Sequence, residues 1–155
     1  MARVKLKIFI TGGGGFVGKN LLEQLGKKYI VYAPTRRQLD LLDKKQVDLF
    51  FKKNKIDVVI HAAVVGGSRN EETVDHALQD NLKMLSHLLN HSGEYKRAIF
   101  LGSGAEYDKR KPIIKISENQ FGKRIPDDEY GFSKYISSKL IEKTTNWVSL
   151  RIFGL

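Results

Sequence analysis

The sequence predicts an α/β fold, a doubly wound parallel sheet of six strands formed by one domain. Three observations predict it. Short β-branched runs alternate along the chain with helical patterns, the joints between them are short, and a glycine-rich turn links the first strand directly to the first helix. Alternation of this kind makes each strand return over the sheet through a helix, so the strands run parallel and are buried on both faces. The 155 residues are one domain's worth of chain and enough for a sizeable core.

Taken in order, Leu6-Lys7-Ile8-Phe9-Ile10 is the first strand, and Val17 to Lys28 is a helix with Val17, Leu21, Leu22 and Leu25 on one face. Tyr29 to Ala33 is the second strand, stopped by Pro34. Gln38-Leu39-Asp40-Leu41 is expected to form a short edge strand, and Asp43 caps a helix that runs through Lys53. Ile56 to Ala63 is a buried strand, Thr73 to Asn90 a long helix, and Ala98 to Gly102 another strand. The stretch from Ser103 to Glu129 has no periodicity, and so long a loop in a compact domain is usually functional. Tyr130 to Thr145 is a helix and Val148 to Ile152 the final strand, completing the order 3-2-1-4-5-6.

Composition excludes several function classes. With no cysteine there are no disulfides, thiolate nucleophiles or sulfur-ligated metals. No stretch is long and apolar enough to span a membrane, and the N-terminus lacks a signal-peptide core, so a soluble, cytoplasmic protein is expected. The net charge of +10 is spread over pairs such as Lys27-Lys28, Arg36-Arg37, Lys44-Lys45 and Lys52-Lys53 rather than gathered in one tract. That distribution argues against a nucleic-acid partner and suits attraction for a small polyanion such as a nucleotide.

The run from Thr11 to Gly18 carries the first chemical signal. A strand that turns sharply into a helix needs a residue without Cβ at the bend (Gly12), close backbone approach to a ligand (Gly15) and tight packing of helix on sheet (Gly18). The free N–H groups of the first turn, around Phe16 and Val17, and the positive end of the helix dipole then face an anion. This is the arrangement of a Rossmann dinucleotide site. Folds of this kind that hold NAD place an acid at the end of the second strand, but here the stretch reads Pro34-Thr35-Arg36-Arg37. Arginine suits a 2′-phosphate, so NADP is expected in preference to NAD, with Arg36 the first-choice contact and Arg37 the reserve.

The second signal is Tyr130-Gly131-Phe132-Ser133-Lys134. Residues four apart on a helix share a face, and an ammonium one turn away favours a phenolate. That combination makes a tyrosine into a general acid–base for a sugar hydroxyl. Ser103, at the end of the strand Ala98 to Gly102, supplies a hydroxyl to orient the reacting oxygen.

Thr11-Gly12-x-x-Gly15-x-x-Gly18, the serine in Leu101-Gly102-Ser103-Gly104-Ala105-Glu106-Tyr107, and Tyr130-x-x-x-Lys134 together resemble the extended short-chain dehydrogenase/reductases. Within them the chain is similar to the NAD(P)-dependent epimerase/dehydratases of nucleotide sugars. The GDP-fucose synthase branch is echoed in Gln38 to Asp43, Ile56 to Ala63 and Val65-Gly66-Gly67. The resemblance implies a catalytic triad of Ser103, Tyr130 and Lys134, the last two also touching the cofactor. It implies that Asp40 and Leu41 flank the adenine, that Ala62 and Ala63 line the cofactor cleft, and that the substrate is a nucleotide sugar. It also implies a homodimer paired through the two long helices. Relatives continue past Leu155 into a mostly helical substrate domain, so residues 1–155 are expected to be the cofactor-binding half alone.

The departures narrow the chemistry. Fucose synthases carry an epimerising cysteine where this chain has Ala105, and 4,6-dehydratases carry an acidic pair where it has Gly104-Ala105. What remains is hydride exchange at a carbinol or keto carbon, as in 4-epimerases and 4-keto reductases; the alternative is a non-catalytic NAD(P)-binding module on the same scaffold. Glu106 reads as structural or solvated, and Asp127-Asp128-Glu129 as the cap of the following helix. His87 and His91 are four apart with no carboxylate partner evident, so no metal site is expected.

Overall fold

The computed structural model describes residues 5–67, 75–110 and 112–153. Its elements run β1 (Lys7–Thr11), α1 (Phe16–Leu25), β2 (Ile30–Tyr32), α2 (Lys44–Lys53), β3 (Val58–His61), α3 (Ala77–Leu89), β4 (Arg97–Ser103), α4 (Glu129–Ile141) and β5 (Trp147–Ile152). Short 3-10 turns occupy Ser92–Glu94, Gly104–Tyr107 and Glu118–Gln120. The expected start of the third helix at Thr73 and Val74 lies outside the described residues.

The strands form one parallel sheet in the order β2-β1-β3-β4-β5. This is the doubly wound order with its outer edge strand missing, because residues 38–41 do not pair. Leu39 and Leu41 alternate inward as a strand would place them, and both are buried. Their backbone is satisfied locally instead: Gln38 N–H and Leu39 N–H donate to the Thr35 carbonyl (2.9 and 3.0 Å), and Asp40 N–H donates to Gln46 Oε1 (3.1 Å). Leu42 N–H donates to Asp40 Oδ1 at 3.0 Å. Alternation here encodes burial, not pairing, and the sheet has five strands rather than six.

The two faces of the sheet are distinct. Ile8, Ile10 and Ile60 pack under Leu21 and Leu25 of α1. Phe9, Val59, Ala98 and Phe100 point the other way, into a larger core with Val47 and Phe51 of α2, Leu85 and Leu88 of α3, and Ile141 of α4. Each cap is local. Asp43 accepts N–H bonds from Lys45 and Gln46 at the start of α2, and Asp128 accepts from Gly131 at the start of α4 (2.7 Å). All strands end toward one edge, so Thr11, His61 and Ser103 come to lie at the ends of β1, β3 and β4.

The far end of the core is tied by one buried polar joint. Trp147 Nε1–H donates to the Tyr95 hydroxyl (3.1 Å), and that hydroxyl donates to the Leu88 carbonyl (2.9 Å), joining β5 to α3. Replacing Tyr95 with Phe strands the buried Trp147 donor, while the Leu88 carbonyl keeps the His91 N–H, and should cost about 1–3 kcal/mol. Urea unfolding followed by the fluorescence of Trp147, the single tryptophan, checks this; an unchanged midpoint would contradict it.

Candidate active site

The turn after β1 is built around Thr11. Its Oγ1 accepts N–H bonds from Ala62 (3.1 Å) and Ala63 (3.0 Å) and lies 2.8 Å from His61 Nδ1. Gly12 follows at φ +70°, and a Cβ there would sit 2.8 Å from the Ala63 nitrogen. At Gly18 a Cβ would run into the Gly12 carbonyl oxygen, so α1 lies directly on the turn. Gly15 differs: a Cβ would meet only the Gly12 carbonyl oxygen, at 3.3 Å. That single contact is tight but far milder than those at Gly12 and Gly18, and Gly15 lines the cleft.

That cleft, about 330 Å³, is lined by Gly12, Gly15, Phe16, Val17 and Gly18 on one side, and by Arg36, Asp40 and Leu41 on a second. Ala62 and Ala63 close a third side. The expected cofactor residues other than Tyr130 and Lys134 therefore share one wall system. Its polar groups sit at the Arg36 end. Arg36 is 72% exposed and its Nε is 3.9 Å from Asp40 Oδ1, while Asp40 Oδ1 also holds the Leu42 N–H. One oxygen of the carboxylate is thus engaged by its own loop, and the exposed guanidinium is held only loosely by it. Arg37 is exposed and does not line the cleft.

Ser103, Tyr130 and Lys134 lie together beyond the Val64–Val65 end of this cleft. The ring of Tyr130 is covered by Gly67 (φ +85°), where any Cβ would strike the ring itself. Burial pushes the Tyr130 phenol above its usual value, a hydrogen bond with Ser103 pulls it back, and the charges of Glu106 and Asp128 raise it further. Spacing alone suggested the opposite direction. The reason is the placement of Lys134: its Nζ donates to the Leu101 carbonyl (2.7 Å) and sits 4.6 Å from the Phe100 ring centroid and 6.0 Å from that of Tyr130. Lys134 is itself buried, and desolvation pushes it down to about 8, with Glu106 opposing.

Sequence reasoning missed the brace behind this set. Asn81 on α3 accepts the Val65 N–H (2.8 Å), donates to the Val65 carbonyl (3.0 Å), and donates to Ser133 Oγ (3.1 Å). Ser133 in turn donates to the Tyr130 carbonyl (2.8 Å). One amide therefore fixes the cleft loop against the helix of Tyr130. Glu106 is fully buried rather than solvated. The histidines diverge: His87 Nδ1 bonds the Leu41 carbonyl (2.7 Å), while His91 bridges Glu94 (2.6 Å) and Asp48 (3.0 Å). The carboxylates that sequence spacing did not supply to His91 arrive through the fold. Among the described residues no group of three or more His, Asp or Glu side chains could hold a metal ion, and no helix is long and apolar enough to cross a membrane.

Residues 8–155 match the model of the NAD dependent epimerase/dehydratase family. The chain belongs to this family. It is 37% identical over 148 residues to the GDP-L-colitose synthase of Yersinia pseudotuberculosis, covering 88% of this chain and 47% of that protein. It is 35% identical over 149 residues to the GDP-L-fucose synthase of Escherichia coli (strain K12), covering 89% and 46%. Among solved structures, the GDP-mannoheptose C4 reductase from Campylobacter jejuni with NADP bound superposes with a TM-score of 0.83 at 26% identity, over 99% of this chain and 49% of that one. The chain spans about half the length of the relatives it matches.

The buried lysine gives this epimerase/dehydratase-family site a measurable signature. With side-chain carbons labelled, one lysine resonance should titrate near pH 8 and vanish in Lys134→Arg, whereas ordinary lysines titrate above about 10. A full set of resonances titrating above that value would contradict the burial of the ammonium.

Proposed function

We propose that this chain is the NADP-binding half of a nucleotide-sugar reductase or epimerase, exchanging hydride at a carbinol or keto carbon of the sugar. Ser103, Tyr130 and Lys134 are its acid–base set. The observation that carries the reading is the placement of the half-buried Tyr130 phenol beside Ser103 at the open end of β4, next to a cleft walled by the glycine turn. The names of the relatives support a GDP-linked sugar, and that of the Campylobacter jejuni reductase supports NADP.

The cleft fits a dinucleotide on its own geometry. Gly15 lines it without a side chain, the first turn of α1 offers free N–H groups, and Arg36 stands exposed at the rim beside Asp40, whose Oδ1 is taken by the Leu42 N–H. Bound there, NADP supplies or accepts the hydride. Gly12, Gly15 and the start of α1 would hold the pyrophosphate, and Arg36 would take the 2′-phosphate.

The protein's own part is the proton. Tyr130, its phenol raised further above neutrality by partial burial, donates its proton to the sugar oxygen in the reducing direction and takes it back in the other. Ser103 orients that oxygen. Lys134 holds a positive charge in the same low-dielectric pocket and so favours the phenolate once the proton has left. Ala105 offers no epimerising or eliminating side chain, and Glu106 is held by Arg151 (2.8 Å) and is not available as a base. The product therefore keeps its oxygen.

Calorimetric titration tests the cofactor assignment on this chain directly. NADPH should bind more tightly than NADH, and Arg36→Ala should weaken NADPH roughly 10- to 10²-fold, the worth of a charge-assisted hydrogen bond, with little effect on NADH. NADH binding as tight as NADPH would contradict it.

A further inference from the structure

Ser103 sits in a buried unit assembled from β4, the turn after it, α4 and β5. Glu106 is fully buried; its Oε1 accepts the Ser103 N–H (2.9 Å) and its Oε2 accepts Arg151 Nε–H (2.8 Å). Ser103 Oγ accepts the Ala105 N–H (3.1 Å), which closes a reciprocal capping box between Ser103 and Glu106. Gly102 leaves room for the carboxylate, because a Cβ there would run into Glu106 Oε1. Arg151 is itself only 14% exposed, stacks 3.8 Å over the Phe121 ring from the long loop, and reaches toward Glu142 at 3.8 Å.

Ser103 is the last residue of β4 to pair with β5, opposite Ile152. Its N–H goes to Glu106, so the rotation of the residue about the strand end is set by a side chain rather than by the sheet. With one lone pair of Oγ occupied by Ala105, the hydroxyl proton and the other lone pair are left for Tyr130 and for a substrate oxygen. Buried ion pairs add little stability that an apolar pair of the same volume would not. An apolar pair, however, could not accept the Ser103 N–H.

We propose that Glu106 and Arg151 act as a positioning pair for Ser103: the carboxylate fixes the serine at the end of β4 so that its hydroxyl faces Tyr130, and Arg151 fixes the carboxylate. This rests on the reading of Ser103 as the hydroxyl that orients the reacting oxygen. Neither Glu106 nor Arg151 touches substrate or cofactor; they act through the serine. Because Arg151 is also stacked on Phe121, the pair anchors part of the long loop to the same point.

A double-mutant cycle on the complete polypeptide tests this, with kcat, substrate KM and NADPH affinity measured for each variant. Ser103→Ala should lower kcat. Glu106→Ala should lower kcat roughly 10- to 10²-fold, the usual cost of misplacing a reacting group, with KM and NADPH affinity unchanged. The double variant should be no slower than Ser103→Ala alone. Losses that multiply would show the pair supporting the fold in general and would overturn the proposal while leaving the role of Ser103 intact. A Ser103→Ala protein with normal kcat would instead remove the reading of Ser103, and the proposal with it. If Glu106→Ala does not fold, Arg151→Met takes its place in the cycle, with the same non-additivity expected and the same multiplication overturning it.

Discussion

The hydroxyl of Thr11 is the constraint on which the cleft depends. A threonine hydroxyl has one proton and two lone pairs. Ala62 N–H and Ala63 N–H occupy the lone pairs, so the proton must go to His61 Nδ1, and His61 carries its own proton on Nε2. Burial, assisted by the charge of Lys134, pushes His61 down to about 3 and keeps it in that neutral form. A protonated ring would present a second donor to an oxygen already full. The ends of β1 and β3 are thereby locked at one distance, which brings Ala63 against Gly12 and leaves no room for a side chain there. The glycine turn, the first turn of α1 and the Ala62–Val65 wall take their positions from that contact.

A second set of constraints is electrostatic. Lys134 and Glu106 are both buried near Tyr130, one at the Leu101 carbonyl and the other between Ser103 and Arg151. The charge of Glu106 raises the phenol in the same sense as burial does, and Lys134, held at the Leu101 carbonyl, does not offset it. The same burial lowers Lys134 toward neutrality. The tyrosine and the lysine are therefore coupled through the solvent they exclude rather than through direct contact.

Much of this was legible in the sequence where a steric or periodic demand falls on residue type. Gly12 and Gly18 could be read because only glycine fits a bend against Ala63 and a helix laid on the turn. The parallel sheet followed from alternation and short joints. Residues 38–41 were misread because alternation of Leu39 and Leu41 marks inward-facing side chains, and the backbone bonds that decide pairing went to Thr35 and Gln46. The direction of the Tyr130 shift was missed because spacing places Lys134 on the same face but says nothing of the Leu101 carbonyl that captures it. Ser103 and Glu106, three apart, carried the signal of a capping box; Arg151, which completes the unit, is distant in sequence and carried none. Asp48 reaches His91 only because α2 and the end of α3 pack together.

In the proposed function one phenol moves a proton beside a dinucleotide cleft that does not need it. Tyr130→Phe removes only the hydroxyl, and the complete polypeptide carrying it should lose roughly 10²–10⁴ in kcat while NADPH affinity stays the same. Normal turnover of a nucleotide sugar by that variant would contradict the account.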